Sequence, residues 1–286
     1  MKLILFACCL LSSPLFAEWT PVWSDEFDKP GLPDPSKWSY DEGLIRNKES
    51  QHYVRAKKEN TRVEDGCLVI EARKEKVDNP DFVSKDHPDW KKNRPHSDYS
   101  SGCIITNGLA SWKYGKVEIR AKLPTGQGAW PAFWMMGEDR SRVGWPKCGE
   151  IDIMEHVTSS VGTVYGTAHY SSEGKHKSHG ENIKKVDVEQ WHTYGIEWSP
   201  EEILWLLDGK PYARFNMKDA DGKLPEEFGE KGNCFRKPYY ILINLAVGGA
   251  WGGPPDPAMF PQKMLVDYVR VYQQDKEAKE AISPEK

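Results

Sequence analysis

The segment Gly149-Glu150-Ile151-Asp152-Ile153-Met154-Glu155-His156 sets three carboxylates among apolar residues in a run that reads as a β-strand. Acidic side chains are unfavourable in that setting unless a cleft, a ligand or hydrogen bonds accommodate them. Two glutamates can flank a glycosidic bond, one attacking as a carboxylate while the other donates a proton and later withdraws one from water. A separation of about 5–5.5 Å suits that double displacement, whereas about 6.5–9.5 Å leaves room for the water of a single displacement. Side chains from one strand favour the close option. Plain alternation puts Glu150, Asp152 and Met154 on one face and Glu155 on the other. One extra residue near Ile153 or Met154, a β-bulge, returns Glu155 to the first face. An acidic outer face or a calcium-binding face is the bland alternative for the same residues.

The elements around this segment are strands. Helical periodicity is nearly absent, and short β-branched or aromatic runs recur between Gly, Pro, Asn and Asp. Clear examples are Cys67 to Ala72, Gly102 to Thr106, Tyr114 to Lys122, Glu150 to Glu155, Val164 to His169, Trp191 to Trp198, Ile203 to Leu207, Tyr239 to Leu245 and Leu265 to Tyr272. Asp208-Gly209 suits a tight hairpin turn, with Tyr212 to Phe215 returning as partner strand. So many strands without connecting helices predict an all-β, antiparallel β-sandwich. Glu75 to Tyr99 reads as an ordered surface loop, Ser171 to Gly180 as a polar loop, and Lys218 to Gly232 as a charged loop with a helical turn at Leu224 to Phe228.

The chain of 286 residues is long enough for one large domain with a full core. Residues 1–17, with Lys2, the apolar run Leu3 to Leu11 and Ala17, read as a signal peptide. A cut before Cys8 would leave few apolar residues ahead of it, which argues against a lipoprotein. Residues 18–274 form the expected catalytic domain and 275–286 a polar C-terminal tail. This organisation predicts a secreted or periplasmic protein with no transmembrane segment.

A formal charge of −4, with no long basic stripe, argues against nucleic acid as a ligand. Cys67, Cys103, Cys148 and Cys234 lie beyond the leader and lack the close spacing of a zinc site. Export permits disulfides, Cys67 with Cys103 being the preferred pair; four buried thiols are the alternative.

Several segments besides the carboxylate strand lead to a family. Trp23 to Phe27, Asn47 to Tyr53, Asp65 to Ala72, Tyr114 to Arg120, Gly128 to Met135, Asn244 to Gly249 and Val266 to Tyr272 all fit, in order, glycoside hydrolase family 16, and the chain resembles its laminarinase-like members. The resemblance implies a jelly roll with a cleft across its concave sheet, Glu150 as nucleophile, Glu155 as general acid/base and Asp152 as the residue that orients and tunes the nucleophile. It implies an endo-acting enzyme on a β-linked polysaccharide, β-1,3-glucan or mixed-linkage glucan first, with an endo-β-galactosidase acting on O-glycan, keratan-type or other galactan chains as the alternative. A noncatalytic carbohydrate-binding protein is a third reading, disfavoured by the intact carboxylates.

Twelve tryptophans suit an extended sugar chain, whose C–H faces stack on indole. Trp112, Trp130, Trp134 and Trp251 lie in segments resembling the family's cleft lining, with Trp134 the foremost stacking candidate. His169 is either a leaving-side sugar contact or an ordinary hydrogen-bonded histidine. Asn47, with Glu49 nearby, resembles a non-reducing-side contact, the alternative being a turn residue bonding its own backbone. The chemistry requires no cofactor. A structural calcium is implied by the resemblance, with Glu26 and Asp267 as its matching carboxylates.

Overall fold

The computed structural model describes residues 18–274; the expected leader 1–17 and tail 275–286 lie outside the described residues. Two sheets pack face to face. The smaller has seven antiparallel strands in the order Lys175–Ile183, Val164–Ser172, Glu150–Glu155, Ala129–Gly137, Tyr239–Val247, Cys103–Ile105 and Ser39–Tyr40. The larger has ten, centred on Gly115–Lys122, Gln262–Gln274 and Cys67–Asp78. The expected all-β sandwich is what forms.

Strand alternation explains how the smaller sheet carries both a core and a site. In Tyr239–Val247, the side chains of Ile241, Ile243, Leu245 and Val247 enter the inter-sheet core, while Tyr240, Leu242, Asn244 and Ala246 occupy the opposite face. In Ala129–Gly137, Phe133 and Met135 face the core and Trp130, Ala132, Trp134 and Met136 face outward. Both faces of these strands are buried, so their sequences show no polar alternation. Tyr239 to Leu245 is nevertheless among the expected strands, whereas Ala129–Gly137, which contains Pro131, is not.

Asp208-Gly209 forms the expected turn, with φ of 51° and 73°, and the turn at Glu226–Phe228 is a short 3-10 helix. Ser171 to Gly180 departs from expectation. Glu173-Gly174 makes a turn with positive φ at both residues, and Lys175–Ile183 returns as an edge strand against Val164–Ser172. Most of its side chains are exposed, so backbone pairing alone makes it a strand and no apolar pattern announces it. The expected loop Glu75 to Tyr99 narrows to residues 79–95, because strands Cys67–Asp78 and His96–Ser101 extend into it from either end.

The expected Cys67–Cys103 bridge is not formed, and all four described cysteines are free thiols. Cys67 pairs with Glu64 in the larger sheet, whereas Cys103 pairs with Asn244 in the smaller one. Opening a short apolar strand placed each cysteine along its own strand but did not put the two strands side by side. Cys148 and Cys234 are buried as well, and burial pushes each thiol up to about 12.

Candidate active site

The strand Glu150–Glu155 carries the bulge that pairing of its glutamates requires. Against Val164–Ser172, Asp152 faces Thr167 and Glu155 faces Tyr165, so three steps on one strand match two on the other. The register also shifts between Asp152 and Met154 against Ala129–Gly137. Ile153 and Met154, neighbours in sequence, both enter the core, and Glu155 rejoins the face of Glu150 and Asp152. The indole of Trp205, from the larger sheet, donates to the Asp152 carbonyl at 2.7 Å and so anchors the backbone where the distortion begins. Trp205→Phe keeps an aromatic ring but leaves that carbonyl without its donor. We expect kcat to fall roughly tenfold with little change in KM, and Tm to drop by about 2–4 °C, as for one lost buried hydrogen bond. Steady-state kinetics and thermal melts check this; an unchanged kcat removes Trp205 from the positioning of the carboxylates.

Glu150, Asp152 and Glu155 line one cavity of about 260 Å³ with Trp130, Trp134 and Asn244. Burial is the main cause of raised carboxyl pKa values here: Glu150 is pushed up to about 8, Asp152 to about 7, and Glu155 well above its ordinary value. Mutual repulsion adds to the rise at Glu150 and Glu155. The group therefore retains protons near neutrality and titrates as a unit. Trp130 Nε1 donates to Glu155 Oε1 at 3.1 Å, favouring its ionised form and partly offsetting the rise. His169 Nε2 lies 3.1 Å from Asp152 Oδ2, near enough to act through charge but not aligned as a hydrogen bond. The other ring nitrogen of His169 meets His176 Nε2 at 2.9 Å. Glu150, Asp152 and His169 hold ligand atoms within 4.8 Å of one another and could hold a metal ion. An acid able to keep its proton beside a second carboxylate is what glycosidic cleavage needs.

A profile of glycosyl hydrolases family 16 matches residues 48–270, which include the bulged strand and most of both sheets. The chain belongs to that family. A β-glucanase of Rhodothermus marinus is 42% identical over 94% of this chain and 91% of its own. The laminarinase catalytic domain of Thermotoga maritima superposes with a TM-score of 0.74 at 40% identity, covering 90% of this chain and 99% of that one. A structure from work on endo-acting O-glycanases with which human gut microbiota initiate mucin breakdown superposes with a TM-score of 0.83 at 35% identity, covering 93% and 95%.

In this family 16 hydrolase the structure gathers Asn47, Glu49, Trp130 and Trp134 at the carboxylate cavity. Trp134 is largely buried; its Nε1 donates to Asn244 Oδ1 at 2.7 Å and the Arg46 guanidinium lies 4.8 Å from its ring centre. Asn47 has φ of 54° and donates to Glu49 Oε1 at 3.2 Å, so its side chain bonds the neighbouring carboxylate. Burial raises the Glu49 carboxyl, with the Arg46 charge opposing. Trp251 does not line the cavity itself; it stands edge-on to Trp130, which does, and to Tyr165.

Trp112 is not brought to the site. It packs edge-on against Trp23 and belongs to the main core, because its backbone bridges to Tyr239 beyond the cavity. Sequence reasoning missed Arg46, which is ion-paired with Asp41 at 3.0 Å, and also Asn244, Trp145 and His176. Asn244 lay within a matching segment and was legible as a polar residue in an apolar strand. Arg46 and His176 gave no signal, since their partners come from other elements. The carboxylates matched to a cation lie beside arginines: Arg270 donates to both oxygens of Glu26 at 3.0 and 2.7 Å, and Arg120 pairs with Asp267. No helix among the described residues is long and apolar enough to cross a membrane.

Proposed function

We propose that this chain is a retaining endo-β-glycanase acting outside the cytoplasm, in the secreted or periplasmic space, on β-1,3-glucan or mixed-linkage glucan. The observation that carries the chemistry is the bulge that turns Glu150, Asp152 and Glu155 into one buried cavity. Glu155 protonates the departing oxygen while ionised Glu150 attacks the anomeric carbon; Glu155 then takes a proton from the water that releases the glycosyl-enzyme. Asp152, beside the nucleophile, accepts or shares the proton that Glu150 must lose. The glucan assignment is supported by the β-glucanase and laminarinase relatives, which match over nearly their full length. The chemistry needs no cofactor, and a structural calcium at Glu26 and Asp267 would compete with Arg270 and Arg120 for those carboxylates.

A second reading, an endo-β-galactosidase on O-glycans, is favoured by one observation. The structure tied to O-glycanases superposes better than the laminarinase domain while sharing less sequence, so its backbone course is the nearer of the two. Incubation with laminarin, mixed-linkage glucan, keratan-type glycan, mucin and agarose separates the readings by product mass and linkage. Release of oligosaccharides from mucin but not laminarin overturns the glucan assignment and leaves the carboxylate chemistry intact.

Retention is tested separately. Glu150 and Glu155 project from one bulged strand into one cavity, the arrangement that suits double displacement, so the first product from a β-linked substrate should itself be β. Proton NMR of the earliest products reads this before mutarotation, and an initial α product rejects the assigned pair.

A further inference from the structure

Beyond Asn47 the cavity continues into a second groove of about 730 Å³, lined by Asn47, Lys48, Trp90, Gly249, Ala250 and Pro255 among others. Asn47 belongs to both spaces, so a chain lying in the first runs on into the second. One wall is the glycine-rich turn after Val247, fixed by Ala250 N donating to Asn47 O at 2.9 Å and Ser50 N donating to Val247 O at 2.8 Å.

Trp90 comes from loop 79–95, which the chemistry leaves unused. The loop is tied at its neck: Asn79 donates through Nδ2 to Lys91 O and Arg94 O, both at 2.7 Å, and through its backbone N to Pro95 O at 3.0 Å. Arg94 then locks it to the cleft. Its Nη1 donates to Glu49 O at 2.8 Å, and its guanidinium carbon lies 5.1 Å from the Trp90 ring centre. The indole is thus ordered before any ligand arrives, partly buried, and held against the segment that carries Asn47 and Glu49. A preordered aromatic at the edge of a groove binds a ring at little entropic cost.

We propose that Trp90 forms a distal subsite that stacks one further pyranose ring of the glycan chain, so that loop 79–95 lengthens the cleft. Lys48 is the sole charged side chain in the groove lining, and Arg94 is engaged with the backbone carbonyls of Glu49 and Lys48 and with Trp90 itself. Pyranose C–H groups match an indole face, and Lys48 and Asn47 can donate to its hydroxyls.

This subsite rests on the proposed endo-glycanase reading, and the test separates the two. Wild type, Trp90→Ala and Trp90→Tyr are compared on β-1,3-gluco-oligosaccharides and N-acetyllactosamine oligosaccharides of increasing length. In whichever series is cleaved, wild-type kcat/KM should rise at the length that first reaches Trp90. Trp90→Ala should lose that rise, roughly three- to tenfold, yet match wild type on the shortest cleaved member. Trp90→Tyr should recover most of it, which distinguishes stacking from a collapsed loop. Equal loss at every length, or no loss at any, overturns the subsite. Failure of wild type to cleave either series or mixed-linkage gluco-oligosaccharides sinks the functional reading and the subsite with it.

Discussion

Glu150→Gln is expected to lower turnover by at least about 10⁴-fold, because it removes the proposed nucleophile while leaving the cavity's shape unchanged. No neighbour can replace it: Asp152 is shorter by one methylene, and Glu155 must hold the proton for the leaving oxygen. The substitution should also stabilise the protein. Burial raises the Glu150 carboxyl from 4.5 to about 8, so the native state retains a proton that the unfolded chain releases. Stability from this group is therefore lost as pH rises from about 5 towards 8, and the neutral amide escapes that loss. We expect the variant to match wild-type Tm near pH 5 and to exceed it by roughly 3–6 °C at pH 8.5. Hydrolysis assays and melts at the two pH values check both halves. Near-wild-type turnover would remove Glu150 from the role of nucleophile, and a Tm deficit at pH 8.5 would mean that its carboxylate is stabilised in the fold.

Glu155→Ala should behave differently although the residue lies on the same face. Loss of general acid/base help costs roughly 10²- to 10⁴-fold on natural substrates. An aryl glycoside with a good leaving group needs no protonation, so its first step should survive and glycosyl-enzyme should accumulate. Azide, which needs no general base, can enter the space vacated beside Trp130 Nε1 and attack from the face that water uses. The expected result is partial recovery of rate and a β-glycosyl azide, identified by mass and proton NMR. The same azide rescue applied to Glu150→Gln would give an α product or none. A β-azide from Glu150→Gln would exchange the two roles.

The sequence by itself determined the all-β class and the candidate chemistry. Strand-forming runs and the Asp208-Gly209 turn are local properties, and three carboxylates in an apolar strand carry their own physical demand for a cleft. That demand forced the bulge into view, because alternation alone leaves Glu155 on the wrong face. What lay out of reach depended on which elements become neighbours. Trp112 and Trp134 look alike in sequence, yet one packs on Trp23 in the core and the other walls the cavity beneath Arg46. Cys67 and Cys103 both open short strands, and only sheet assignment shows them apart. Lys175–Ile183 has no apolar face to signal a strand and exists through its pairing with Val164–Ser172, which brings His176 to His169. That Arg270 and Arg120 lie beside Glu26 and Asp267 was likewise invisible in the sequence. In most of these cases the missing information was a contact between segments far apart in sequence; in the hairpin ending at Lys175–Ile183 it was backbone pairing, which no side-chain pattern records.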